Sequence, residues 1–200
     1  KGCVALSSKN FINRQILLVR HGRTGWNDAH RFQGRTDIPL NEAGLAQAER
    51  LAERLAPWPL DAVWSSPLLR TRQTAAAVAS RHGMEPRVLD ELVEVNFGPW
   101  EGMHLKTLRE QEHDQLRAWM KDPFFHGPEG SETWEAIRAR VQRAMEIILK
   151  DAGERVVVVS HGGIMRALFV VLLDLDPHSV WNIKTSNCAI SGIEVREYQT

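Results

Sequence analysis

At 200 residues the chain is long enough for one well-packed domain, or for a core carrying a small inserted cap. A hydrophobic share of 43% beside 25% charged residues excludes an intrinsically disordered polypeptide. Lysine plus arginine and aspartate plus glutamate both number 25, so no global field draws nucleic acid or an anionic membrane, and any pull on anions must come from local clusters of arginine.

Residues 1–14 read as an N-terminal tail and 15–200 as one domain. Gln15 to Val19 is a short apolar run stopped by Arg20, which suits a strand buried on both faces. From Asn41 to Ala56 the residues Leu45, Ala48, Leu51, Ala52 and Leu55 recur at helical spacing behind Asn41 as N-cap. Asp61 to Ser65 reads as a second strand, with Pro67 in the first turn of the helix that follows and Gly83 at its end. Residues 90–103 mix carboxylates, aromatics, Gly and Pro without a period, as a structured functional loop does. His104 to Met120 returns to helical spacing, and residues 100–130 are expected to form a cap. Ser131 and Glu132 open a further helix reaching Lys150, with Trp134, Ile137, Val141, Met145 and Ile148 as its stripe. Arg155 to Ser160 is the clearest strand, a glycine pair and an apolar helix follow it, and Cys188 to Val195 alternates as a late strand.

Such alternation predicts an α/β fold, a three-layer αβα sandwich with a mainly parallel sheet and right-handed crossovers, with a small cap over the C-terminal edge of the strands. Ligands of such sheets bind at that edge. Two strands end there on a histidine, in Arg20-His21-Gly22 and Ser160-His161-Gly162-Gly163, so imidazoles 140 residues apart can face one pocket. Arg20 and Arg70 lie beside the same edge, where guanidinium forks can hold phosphate oxygens. Gly162 and Gly163 permit close approach to a ligand at a helix start. No lysine-bearing Gly-rich P-loop is present. A neutral imidazole is a competent nucleophile at physiological pH, and a nearby carboxylate can serve as acid and then base. Glu94 is the candidate, ahead of Glu91 and Glu101.

His104, His113 and His126 lack the spacing of helix-borne metal ligands. The tryptophans lack basic flanks, so core and pocket-wall packing accounts for them better than a nucleic-acid stacking groove. Cys3 and Cys188 make no disulfide framework, which suits a reducing compartment, the cytoplasm. The apolar stretch from Ile164 to Leu175 is interrupted by Arg166 and Asp174 and is too short to span a bilayer.

The segment LLVRHGRTGWN at 17–27 resembles the signature of the histidine phosphatase superfamily, in its phosphoglycerate-mutase-like branch. The segments at 31–48, 65–75, 91–102, 128–132 and 156–163 resemble the family's later blocks in the same order. The resemblance implies that His21 is phosphorylated, that Arg20, Arg70 and His161 complete the phosphate pocket, and that Glu94 is the acid/base. It implies that Asn27, Gln33 and Gly34 line the pocket or touch substrate, beside Gly162 as read above, with no cofactor and no metal. The expected activity is hydrolysis of a small phosphorylated metabolite. A mutase or a phosphoprotein phosphatase is the alternative, and a homodimer is left open. Arg23 stands where family members often carry Glu or Gln, and it is expected to extend an electropositive rim.

Overall fold

The computed structural model describes residues 11–150 and 153–198; Cys3 and residues 1–10 of the expected tail lie outside the described residues. Five strands form one sheet: β1 (Phe11–Arg20), β2 (Ala62–Ser65), β3 (Arg87–Val88), β4 (Arg155–Ser160) and β5 (Ile190–Tyr198). Their order is β3-β2-β4-β1-β5, parallel throughout except for β5, which runs antiparallel to β1. The period of two along each central strand sends alternate side chains to opposite layers. Ile16, Leu18, Trp64, Val156 and Val158 enter the core shared with α6 (Trp134–Lys150) and α7 (Gly162–Leu173). Leu17, Val19, Val63, Val157 and Val159 enter the core shared with α2 (Glu42–Leu55) and α3 (Leu69–Ser80). The result is the predicted three-layer αβα sandwich, in which each fully buried Leu or Val stabilises by roughly 1.5–3 kcal/mol.

After the short helix α1 (Gly25–Asp28), α2 starts where its cap was read, with the Asn41 carboxamide oxygen accepting from the Gly44 amide at 2.8 Å. Over the C-terminal edge of the sheet lies the cap, built from α4 (Leu105–Gln111) and α5 (His113–Lys121). It closes on its own small core of Trp100, Leu108 and Leu116, packed by Phe32, Phe97 and Trp119.

Several expectations shift. Residues 11–14, read as tail, continue β1 because they pair with β5 from Phe11↔Tyr198 onward. The single helix expected over 104–120 breaks at Glu112, whose carboxylate accepts from the Trp100 indole at 3.2 Å and whose backbone leaves helical geometry. Pro67 lies outside α3, which starts at Leu69, and Leu45 faces solvent with 46% exposure because only one side of α2 meets the sheet. The helix α6 begins at Trp134; Glu132, read as opening it, is drawn away into a buried ion pair with Arg140.

Candidate active site

Parallel pairing of β1 with β4 sets Val19 against Val159 and Arg20 against Ser160, so the next residue on each strand is a histidine. Neighbouring strands lie about 4.8 Å apart, and the rings of His21 and His161 have centroids 5.2 Å apart with planes at 60°. Nδ1 of His21 is 2.7 Å from the Gly22 carbonyl. A carbonyl only accepts, so Nδ1 holds the proton and Nε2 keeps the lone pair. Burial, followed by the charges of Arg70 and Arg20, holds the His21 imidazolium well below its ordinary range, outweighing the Gly22 hydrogen bond. The ring is therefore neutral and nucleophilic at physiological pH. His161 is lowered in the same way, by burial first and then by Arg70, His21, Arg20 and Arg140. Its Nε2 lies 2.8 Å from Ser66 Oγ, supplied by the end of the adjacent β2, and its Nδ1 is buried without a partner.

Arg70 is fully buried. Its Nη1 and Nη2 donate to the carbonyls of Thr36 and Gly34 at 2.8 and 2.7 Å. Gly34 holds a left-handed φ of 51°, and a side chain there would collide with the Glu101 carboxylate. Burial pushes the Arg70 guanidinium down to about 10, against the opposing charges of Glu94, Asp37 and Glu101. Arg20 donates to the Thr185 carbonyl at 2.7 Å and is likewise lowered by burial. In both side chains Nε is buried without a partner. A phosphate dianion is the kind of acceptor that two such donors fit.

Glu94 is 9% exposed. Its Oε1 accepts from the Val95 amide at 3.0 Å and its Oε2 from the Gly163 amide at 3.3 Å, at the start of α7. The turn that carries it is bolted down by Arg140, whose Nη1 donates to the carbonyls of Glu91 and Val93 at 2.7 and 2.6 Å. The same guanidinium makes a bidentate pair with Glu132. Burial pushes the Glu132 carboxyl up, but the Arg140 hydrogen bonds and charge, with Arg35, outweigh it and hold it below the usual carboxylate range. Glu101 has a different task from Glu94, accepting from the amides of Arg35, Thr36 and Phe97 and so fixing the loop that binds Arg70.

A cavity of about 330 Å³ joins these groups beneath the cap. Of the residues named from sequence, Arg20, His21, Asn27, Gln33, Gly34, Arg70, Glu94 and Gly162 line it, whereas His161 sits behind the wall against His21. Asn27 Oδ1 accepts from the Thr24 amide at 3.1 Å, and the Thr24 hydroxyl lies 3.2 Å from both Asn27 Oδ1 and Gln33 Oε1. The outer wall is aromatic, with Trp26, Phe32, Phe97, Trp119 and Trp181, so those tryptophans take the pocket-wall role; Trp58 instead is 42% exposed. Arg23 does not extend the rim. Its guanidinium turns to the Asp28 carboxylate, and it is not part of the cavity wall.

Sequence reasoning missed Arg31 and Arg166, which also line the cavity, and Arg140, Glu132, Thr185 and Asn187, which hold its walls. Arg166 lies over the Trp181 ring at 4.6 Å and donates to the Gly162 carbonyl at 2.9 Å. A cation inside the apolar stripe of α7 was the available signal for Arg166.

Paired strand-end histidines at the edge of a capped three-layer sandwich define the class. The chain belongs to the histidine phosphatase superfamily (branch 1), whose family model matches residues 16–200. It is 34% identical to phosphoserine phosphatase 1 of Hydrogenobacter thermophilus over 92% of this chain and 87% of that protein. It is 33% identical to a Yersinia pestis protein named "Probable phosphoglycerate mutase GpmB", over 92% and 86% of the two chains. Among solved structures, the mycobacterial glucosyl-3-phosphoglycerate phosphatase in complex with VO3 superposes with a TM-score of 0.82 at 28% identity, covering 90% of each chain. Among the described residues no helix is long and apolar enough to cross a membrane.

Proposed function

We propose that the protein is a phosphoric monoester hydrolase acting on a small phosphorylated metabolite through a phosphohistidine. The observation that carries this reading is His21, its proton fixed on Nδ1 by Gly22, lining one cavity with Arg20, Arg70 and Glu94. Relatives named as phosphoserine phosphatase and glucosyl-3-phosphoglycerate phosphatase support hydrolysis.

In the first half-reaction Nε2 of His21 attacks phosphorus, the N–P bond forms as the ester P–O bond breaks, and protonated Glu94 gives its proton to the departing oxygen. Arg20 and Arg70 hold the phosphoryl oxygens and match their charge in the transition state. In the second, the Glu94 carboxylate takes a proton from water as that water attacks phosphorus. The N–P bond breaks, inorganic phosphate leaves, and His21 is again neutral. His161 supports the charge from below: Ser66 Oγ, which accepts from the Leu68 amide at 3.3 Å, offers its proton to Nε2, leaving Nδ1–H as a donor. Asn27, Gln33, Gly34 and Gly162 shape the substrate contact. The guanidinium charges stand where other phosphatases place a metal ion, so a chelator should leave the rate unchanged. We place the reaction in the cytoplasm, where Cys188 stays a thiol.

A screen of phosphate monoesters with wild type and His21→Ala, beside an isomerisation assay, tests this reading. Phosphate release by wild type alone, with a phosphohistidine trapped on rapid quench, is expected. Isomerisation without release would establish the mutase reading that the Yersinia relative suggests, and equal turnover by the variant would remove His21 as nucleophile.

A further inference from the structure

Three consecutive residues, Arg20, His21 and Gly22, must be held still if a ring nitrogen is to meet phosphorus in line. Two of their backbone amides are fixed from β4 and α3: His21 N donates to the Ser160 carbonyl at 2.9 Å and Gly22 N to Thr74 Oγ1 at 3.0 Å. Their carbonyls are fixed by one short segment, residues 185–188, that precedes β5. Cys188 N donates to the Arg20 carbonyl at 2.9 Å, from a backbone at a left-handed φ of 55°. Asn187 Nδ2 donates to the His21 carbonyl at 2.9 Å and lies 3.4 Å from both the Gly22 carbonyl and Asn27 Oδ1.

We infer that Asn187 is the positioning residue of the nucleophile: its carboxamide sets the peptide on which the His21 ring is mounted. The inference rests on the phosphohistidine reading above. The Gly22 carbonyl is the acceptor for Nδ1–H of His21, so a change in that peptide moves Nε2 directly. Asn187 is half-buried and its carboxamide bonds to the His21 peptide, while the side chains of Arg20, Arg70 and Glu94 are held by other partners, so its effect should fall on the alignment of the attack and not on the grip on the anion.

Two anions separate these effects. Inorganic phosphate reports the arginine grip, whereas orthovanadate, which accepts a fifth ligand from a histidine nitrogen, reports the aligned nucleophile. For Asn187→Ala we expect kcat and orthovanadate affinity each to fall at least about tenfold, with KM and inorganic phosphate affinity within about twofold of wild type. Asn187→Asp, which keeps the shape but loses the donor, should fall at least as far. Thermal unfolding with and without phosphate checks that each variant is folded. The inference is overturned if the folded variants keep kcat and orthovanadate affinity, or if phosphate and orthovanadate weaken equally. Failure of the phosphohistidine reading itself shows separately, as wild-type protein that binds orthovanadate no tighter than phosphate.

Discussion

The rings of His21 and His161 meet edge to face at 5.2 Å, and both imidazoles are held neutral by burial and by the charges of Arg70 and Arg20. In the unfolded chain each would take up a proton near 6.5. As pH falls below that value the unfolded state binds protons that the folded state refuses, so stability declines from about 6.5 downward until the folded-state values are reached. The slope is on the order of 1 kcal/mol per pH unit for each histidine. Urea unfolding between pH 7 and 5 should show this decline, and His21→Gln should flatten it by about half of the histidine contribution. An unchanged slope in that variant would mean that His21 is protonated in the fold.

The same depression has a kinetic counterpart. Because His21 stays neutral, kcat/KM corrected for ionisation of the substrate phosphate should carry no acid limb near 6.5 from the nucleophile. A limb there in the wild type, moving to higher pH when Arg70→Gln removes one of the charges that depress the ring, would contradict the shift.

A Cβ at Gly163 would approach Glu94 Oε1 to 2.7 Å and Val95 Cγ2 to 2.9 Å. The far end of Glu94 can yield at small cost to stability, but it then leaves the place from which the proposed mechanism has it protonate the departing oxygen. Gly163→Ala should therefore melt close to wild type while kcat falls by about 10- to 100-fold. Full activity in this variant would show that the carboxylate works from another position.

The effect of removing the proposed acid should depend on the leaving group. Glu94→Gln should cost about 10²- to 10⁴-fold in kcat for alkyl phosphates, whose alkoxide needs a proton, and far less for 4-nitrophenyl phosphate. Equal losses for both esters would assign Glu94 to binding.

Arg140 and Glu132 are a buried pair, with side chains 8% and 9% exposed, and the arginine also carries the carbonyls of Glu91 and Val93. Arg140→Met leaves a buried carboxylate and stranded acceptors, and chemical denaturation should register a loss of about 3–5 kcal/mol. Arg140→Lys should not restore it, since an ammonium cannot form the fork. A variant as stable as wild type would show that Glu132 can relax to water.

The sandwich was legible because β1 and β4 hold unbroken apolar runs and α2 and α6 each carry a single helical period, and the stripe of Trp134, Ile137, Val141, Met145 and Ile148 is buried as read. The strand β3 was not, since its two residues are exposed and bear no pattern. The break at Glu112 depends on the indole of Trp100, a tertiary contact that helical spacing cannot report. In the site, His21, His161 and Arg70 were legible because each stands at the end of a readable strand or the start of a readable helix. Asn187 reaches a carbonyl 166 positions earlier, and Arg140 reaches one 49 positions earlier. Nothing local distinguishes an asparagine before a strand, or an arginine on a helix, from its solvated equivalents.

The antiparallel pairing of β1 with β5 also sets a timetable for assembly. His21, the proposed nucleophile, follows directly on β1, yet the turn that holds its carbonyl and the strand that flanks β1 come last in the described chain. A nascent polypeptide emerging from the ribosome thus carries His21 well before it can lock it, because Asn187 follows 166 positions later. Chains interrupted before Asn187 lack the group that holds the His21 carbonyl, and closing so long a loop costs more entropy than forming the local contacts of α2 or α3.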